Sequence, residues 1–158
     1  MENVKVTLPD GAVIELPSGT TVGELASRIG RRLAAKAVVG LVDGVAVDLS
    51  FPISEDCHVT ILDATSPEGL NTMRHSAAHV MAQAVKRLFP GVKLAIGPTI
   101  DDGFYYDFDI DHAFTSEDLE KIEAEMAKII AEDLPIVRQE VSWVEAMDVL
   151  KSGDEVYK

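Results

Sequence analysis

Apolar and polar residues alternate over VKVTL (4–8), and a second mostly apolar run, AVIEL (12–16), follows Pro9-Asp10-Gly11. Two such runs around an Asp-Gly pair predict a β-hairpin, because Asp-Gly supplies the positive φ angles that a tight turn needs. Pro17-Ser18-Gly19 ends the second strand, and the spacing then changes. Val22, Leu25, Ala26 and Ile29 recur at helical intervals after Thr21, with Glu24 three residues on, which is a capping box; Gly30 marks the stop. AVVGLVDGVAVDL reads as a strand, a second Asp-Gly turn at Asp43-Gly44 and another strand, and HVTIL (58–62) closes the segment. The order β-β-α-β-β-β predicts a mixed sheet wrapped on one helix, a β-grasp arrangement.

A polar link, Asp63 to Ser66, leads to Pro67, which suits the first helical position after a Ser66 cap. At about 100° per residue, Leu70, Met73, Ala77, Val80, Met81, Ala84 and Leu88 gather on one side of the helix that follows. His75, His79 and Ala82 fall on the other side. The core stripe then does not need the imidazoles, and the small neighbours Ser76, Ala78 and Ala82 leave room for a ligand. Two histidines at i and i+4 can bind a metal, bind an anion or move a proton near neutral pH; the same spacing also occurs on plain solvated faces.

Phe89, Pro90 and Gly91 end the helix, and KLAIGPTIDDGFYYDFDI follows. Its apolar run breaks at Gly97-Pro98, and a strand is predicted to restart at Gly103. There Phe104, Tyr106, Phe108 and Ile110 alternate with Tyr105, Asp107 and Asp109. Gly97 and Gly103 allow a backbone to approach a ligand closely, and ordinary turns use glycine too. Thr115 with Asp118 caps a helix carrying Leu119, Ile122, Met126, Ile129 and Ile130, which ends before Pro135. IVRQEV (136–141) reads as a strand returning to the same sheet. Ser142 with Glu145 caps a last helix that stops near Gly153.

Composition narrows the function classes. The 158 residues carry a formal charge of −13, with acidic residues in excess on both sides of Asp63. That is not the balance of a piece that grips a nucleic-acid backbone unaided. Local basic clusters exist at Arg28, Arg31, Arg32 and Lys36, and at Lys86, Arg87 and Lys93. Cys57 is the single cysteine, so an internal disulfide is excluded and a reducing compartment fits. Adjacent Cys57 and His58 point to opposite faces of a strand, and Cys57 reads as a core or edge filler. No apolar run reaches spanning length and no leader pattern opens the chain, so the expectation is a cytoplasmic protein without a membrane partner.

RHSAAH (74–79) and IGPTIDDGFYYDF (96–108), downstream of a small β-grasp segment, resemble the threonyl-tRNA synthetases. The resemblance covers essentially the whole chain and matches the N-terminal region of that family. It implies an α+β protein with a TGS β-grasp domain at 1–63 and the first part of a tRNA-editing domain at 64–158. By the same resemblance His75, His79 and Lys158 correspond to catalytic residues of the editing site and Tyr106 to its pocket tyrosine; Gly97 and Gly103, where a backbone can approach a ligand closely, are the further substrate-binding candidates, and no residue is assigned to a metal. The implied reaction is hydrolysis of seryl-tRNA made in error on threonine tRNA. Threonine tRNA and seryl-tRNA are the implied partners, and the parent enzyme is expected to be a homodimer. ATP, magnesium and zinc belong to an aminoacylation core that these residues do not include, so no cofactor is expected here. The family completes its editing site with a Cys-x-x-x-His element that is also absent, which makes the chain a fragment expected to edit weakly or not at all.

Two other readings stay open. A free-standing, zinc-dependent hydrolase of the alanyl-tRNA editing type requires two further ligands beside His75 and His79, for which His112 and Cys57 are the candidates. A non-catalytic reading makes the TGS module an RNA-binding or regulatory device using Arg28, Arg31, Arg32 and Lys36.

Overall fold

A computed structural model describes residues 2–153 and residue 157. The chain divides into two compact units, Met1–Met73 and Arg74–Lys158.

In the first unit, β1 (Asn3–Thr7) and β2 (Val13–Pro17) form the predicted hairpin, with Val4 opposite Leu16 and Val6 opposite Ile14. Alternation puts Val4, Val6 and Leu16 inside, the last two fully buried. A short β3 (Thr20–Thr21) precedes α1 (Val22–Ile29). The capping box closes in both directions: Thr21 Oγ1 accepts from the Glu24 amide at 3.2 Å, and Glu24 Oε2 accepts from the Thr21 amide at 2.8 Å. Val22, Leu25 and Ala26 of α1 are fully buried. A second helix that the sequence pattern did not predict, α2 (Arg31–Lys36), follows Gly30 and buries no residue. It has no apolar stripe to betray it.

β4 (Ala37–Val42) and β5 (Val45–Val47) flank Asp43-Gly44, whose φ angles of 47° and 82° make the tight hairpin turn that the dipeptide signals. β6 (Pro52–Ile53) pairs with β3, and β7 (Cys57–Asp63) runs parallel to β1 and antiparallel to β4. The five-stranded order β2-β1-β7-β4-β5, packed on α1, is the expected mixed sheet of an α+β, β-grasp unit. Cys57 is buried among Val4, Val6, Leu25 and Val59, and its neighbour His58 is exposed, as the pleat demands.

α3 (Pro67–Leu88) begins at Ser66, whose Oγ accepts from the Gly69 amide at 3.0 Å. Its buried face differs from the predicted one. Leu70 and Met73 are 40% and 48% exposed, whereas Ala78 and Ala82 are buried, together with Ala84 and Val85. The core stripe therefore runs through the alanines rather than beside them. Small residues permit close approach of a neighbour and contribute little to a hydropathy pattern, so the projection from large apolar positions was rotated.

The segment after α3 forms two short ladders in place of one continuous strand. β8 (Lys93–Leu94) pairs with β11 (Phe108–Asp109), and β9 (Thr99–Ile100) pairs with β10 (Gly103–Phe104). Irregular hydrogen bonds bridge the gap at Gly97-Pro98: the Ala95 amide donates to Asp107 O at 3.0 Å and the Asp107 amide to Ile96 O at 2.8 Å. The predicted alternation survives this break, with Phe104, Tyr106, Phe108 and Ile110 turned inward and Tyr105, Asp107 and Asp109 outward.

α4 (Ser116–Glu132) starts at the Thr115–Asp118 capping box and stops at Asp133, in the left-handed conformation at φ 48°. Ile122 and Ile129 join Ala84, Val85 and Val92 in the second core, with Phe108, Ile110 and Phe114 against it. Leu119 and Ile130, assigned to that face from sequence, are 59% and 66% exposed. Residues 135–141 are not a strand: among the described residues they have no strand partner, and Ile136 is 84% exposed. An extended apolar segment becomes a strand only where a neighbour offers a row of backbone groups. α5 (Trp143–Ser152) is capped by Ser142 and Glu145 as predicted, and Gly153 ends it.

Candidate functional site

The i, i+4 spacing on α3 brings the two imidazoles into contact: His75 Nε2 and His79 Nε2 lie 3.0 Å apart, with the rings edge to face at 86°. At that distance one Nε2 carries hydrogen and donates while the other accepts. A neutral imidazole keeps a lone pair on one ring nitrogen, and such a lone pair is the group that proton abstraction from a water requires.

His79 borders a cavity of about 620 Å3 whose walls include Ala82, Gln83, Lys86, Tyr106 and Leu150. Both residues at the next two positions along the same face, Gln83 and Lys86, escaped the sequence reading as site residues. The signal was present: they stand four and seven positions beyond His79, close to its direction around the helix. Leu150 arrives from α5, and no local pattern points to it. Ala82 is buried but still lines the cavity, so the space seen from sequence beside the histidines exists, while Ala78 is packed away.

Tyr106 is held from two sides. Its ring stacks on Phe108, centroids 4.9 Å apart and planes at 18°. On the other side lies Gly97, where a Cβ would stand 2.1 Å from Tyr106 Cδ2 and 2.3 Å from Cε2. Gly97 is therefore the position that lets this ring in. Gly103 adopts φ 147° in the β9–β10 hairpin, opposite Ile100, and does not border the cavity. Lys158 lies outside the described residues.

Charge around the cavity is arranged by α4. Arg87 forms a two-pronged pair with Glu132, Nη1 to Oε1 at 2.7 Å and Nη2 to Oε2 at 2.8 Å, and also reaches Glu125 at 3.3 Å. The hydrogen bonds that Arg87 donates to Glu132 and Glu125 raise the guanidinium's pKa, and the same contacts hold Glu132 below the usual carboxylate range; Glu125 is lowered first by Lys128 and then by Arg87. Tyr157 donates to Asp109 Oδ2 at 2.8 Å, which raises the phenol.

Among the described residues no three His, Cys, Asp or Glu side chains converge on a metal-sized site. His112 packs against Phe89 and Phe114, with ring centroids 5.4 and 5.9 Å away, and Cys57 is buried in the β-grasp core, where burial raises its thiol pKa. The two candidate extra zinc ligands are thus engaged elsewhere. No helix among those residues is long and apolar enough to cross a membrane.

Comparison with known proteins fits this architecture. The family model described as TGS domain matches residues 4–63. Those residues are a TGS domain. Over 155 residues, 98% of the chain, the protein is 53% identical to a threonine–tRNA ligase of Desulforamulus reducens and 52% identical to one of Symbiobacterium thermophilum, covering 24% of each. It is 49% identical over its full length to that of Citrifermentans bemidjiense, covering 25%. The chain is thus related to the threonine–tRNA ligases from the TGS domain through α5, and it spans about a quarter of the length of the curated relatives it matches.

Proposed function

We propose that the chain is the part of a threonine–tRNA ligase that carries the TGS domain and one wall of a hydrolytic site for mischarged seryl-tRNA. The observation that carries this reading is the contact of His75 with His79 at the edge of a cavity walled by Tyr106. A helix-borne imidazole pair beside an aromatic wall suits ester hydrolysis. One imidazole takes a proton from water, the water oxygen attacks the ester carbonyl carbon, and the bond to the ribose oxygen breaks as that oxygen gains a proton. Lys158, by the resemblance, stabilises charge on that leaving oxygen.

The need for such a site follows from magnitudes. Serine lacks only threonine's methyl group, and one methyl in a synthetic pocket is worth about 1–3 kcal/mol, too little for accurate translation. A second pocket that accepts serine and excludes threonine supplies the missing discrimination. In this reading ATP, magnesium and zinc serve the aminoacylation core in the rest of the enzyme, and the TGS domain orients RNA through the exposed Arg28, Arg31, Arg32 and Lys36.

The test is hydrolysis of seryl-tRNA against threonyl-tRNA by this chain and by a version extended through a Cys-x-x-x-His element. Serine-selective hydrolysis by the extended protein is the expected result, with little or none from the chain alone. His75→Ala or His79→Ala in a complete enzyme removes deacylation and leaves threonylation intact; deacylation that survives both changes refutes the assignment.

A further inference from the structure

Between α4 and α5 the chain passes through an exposed stretch that mirrors itself in sequence. Residues 131–145 are all exposed, and among the described residues 135–141 have no strand partner. Val137 is 70% and Val141 53% exposed. About Gln139, the run Val137-Arg138-Gln139-Glu140-Val141 reads the same in both directions except that arginine answers glutamate. A second copy laid antiparallel about Gln139 therefore sets Val137 opposite Val141, Arg138 opposite Glu140 and Gln139 opposite its own counterpart, the self-complementary pattern of a two-fold contact. Alternation puts the valines on one face of such a ladder and the charges on the other. Arg138 and Glu140 already bond within one chain, so the four charges alternate in sign along and across the ladder. The charges also fix the register. A slip of two residues sets Arg138 opposite Arg138 or Glu140 opposite Glu140, which repel, and a slip of one sets a valine opposite a charge.

We propose that residues 137–141 are a docking strand for a second copy of this chain, paired antiparallel about Gln139 in a two-fold dimer. An exposed row of unpaired backbone groups is a template for such pairing. Two five-residue strands alone make a weak contact. Antiparallel order adds apolar area at both ends, because it brings the exposed Leu134 and Ile136 of one copy towards the exposed Trp143 and Val144 of the other. The proposal does not depend on the hydrolytic reading.

The experiment is sedimentation equilibrium of the 158-residue chain over rising concentration, with hydrogen exchange read at the amides of 137–141. A monomer–dimer equilibrium is expected, with those amides gaining protection as dimer forms. Arg138→Glu and Glu140→Arg each raise the dissociation constant by about tenfold or more, since symmetry turns two attractive cross-strand pairs into two repulsive ones. The double exchange Arg138→Glu with Glu140→Arg restores the sign of both pairs and returns the constant towards the wild-type value. Glu140→Arg also separates this contact from general repulsion: in a chain of charge −13, added positive charge by itself would tighten self-association. A chain that stays monomeric at every concentration, a tighter Glu140→Arg dimer, or a double exchange as weak as either single change overturns the proposal. So does a version extended beyond residue 158 that is monomeric with 137–141 already protected, which assigns the strand to the added chain.

Discussion

Replacing Gly97 with alanine tests how the cavity wall is held. The added Cβ would meet Tyr106 at 2.1 Å from Cδ2, 2.3 Å from Cε2 and 2.9 Å from Cγ, against about 3.5–4.0 Å for carbon atoms in contact. The ring has to move by more than about 1 Å, and because Cγ is among the atoms struck, rotation about its own axis does not relieve the clash. Phe108, stacked at 4.9 Å, blocks a simple slide. Overpacking of this kind costs about 1–3 kcal/mol, and loss of the aromatic stack adds about 0.5–1.5 kcal/mol. Urea unfolding of Gly97→Ala should therefore show a loss of about 2–4 kcal/mol at unchanged denaturant slope, with an altered near-ultraviolet tyrosine signal. Gly30→Ala is the control, since its backbone is extended at φ 171° and its Cβ meets nothing within 4 Å. In a Tyr106→Ala background the alanine at 97 should become nearly harmless, a coupling that a double-mutant cycle reads directly. A Gly97→Ala protein within about 0.5 kcal/mol of wild type, the range of an ordinary surface change, refutes the account of the wall.

Arg87→Met should lower the urea midpoint at pH 7 by removing the clamp between α3 and α4. The sign of its pH dependence follows from Glu132 and Glu125, whose pKa values are lowered in the folded chain. Their stabilisation is present above the ordinary glutamate value of about 4.3 and is lost as pH falls through the lowered folded values. The gap between wild type and variant should accordingly narrow below about pH 4, and it should shrink with added salt because the pair is exposed; a gap independent of pH contradicts the assignment. Trp143, the single tryptophan, is 78% exposed, so its emission should resemble that of free tryptophan and be readily quenched by acrylamide. A blue-shifted, protected spectrum contradicts the described placement of α5.

What the sequence disclosed was set by how far apart the interacting residues lie. All three capping boxes, at Thr21, Thr115 and Ser142, form with both hydrogen bonds, because each joins groups three residues apart and needs nothing else. Both Asp-Gly hairpins form for the same reason. α2 escaped because a helix with no buried residue leaves no periodicity to detect. Residues 136–141 misled in the opposite direction: their apolar, β-branched composition fits a strand, but pairing is a property of two segments. On α3 the period was right and the phase was wrong, since the alanines that the core contacts are weak hydrophobic markers.

The candidate site divides along the same line. His75 and His79 were legible because a single helix brings them together, and Tyr106 because its strand alternates. Two relations needed the fold: Gly97 makes space for a ring nine residues away in sequence, and Leu150 of α5 reaches the wall that His79 borders. A glycine chosen for closeness to a ligand and one chosen for closeness to an aromatic ring look identical in a sequence. Only the backbone path over 95–107 separates them, and here it places Tyr106 where the ligand reading had placed open space. The same ring then forms part of the cavity wall, so the missing side chain at 97 still serves the site, at one remove.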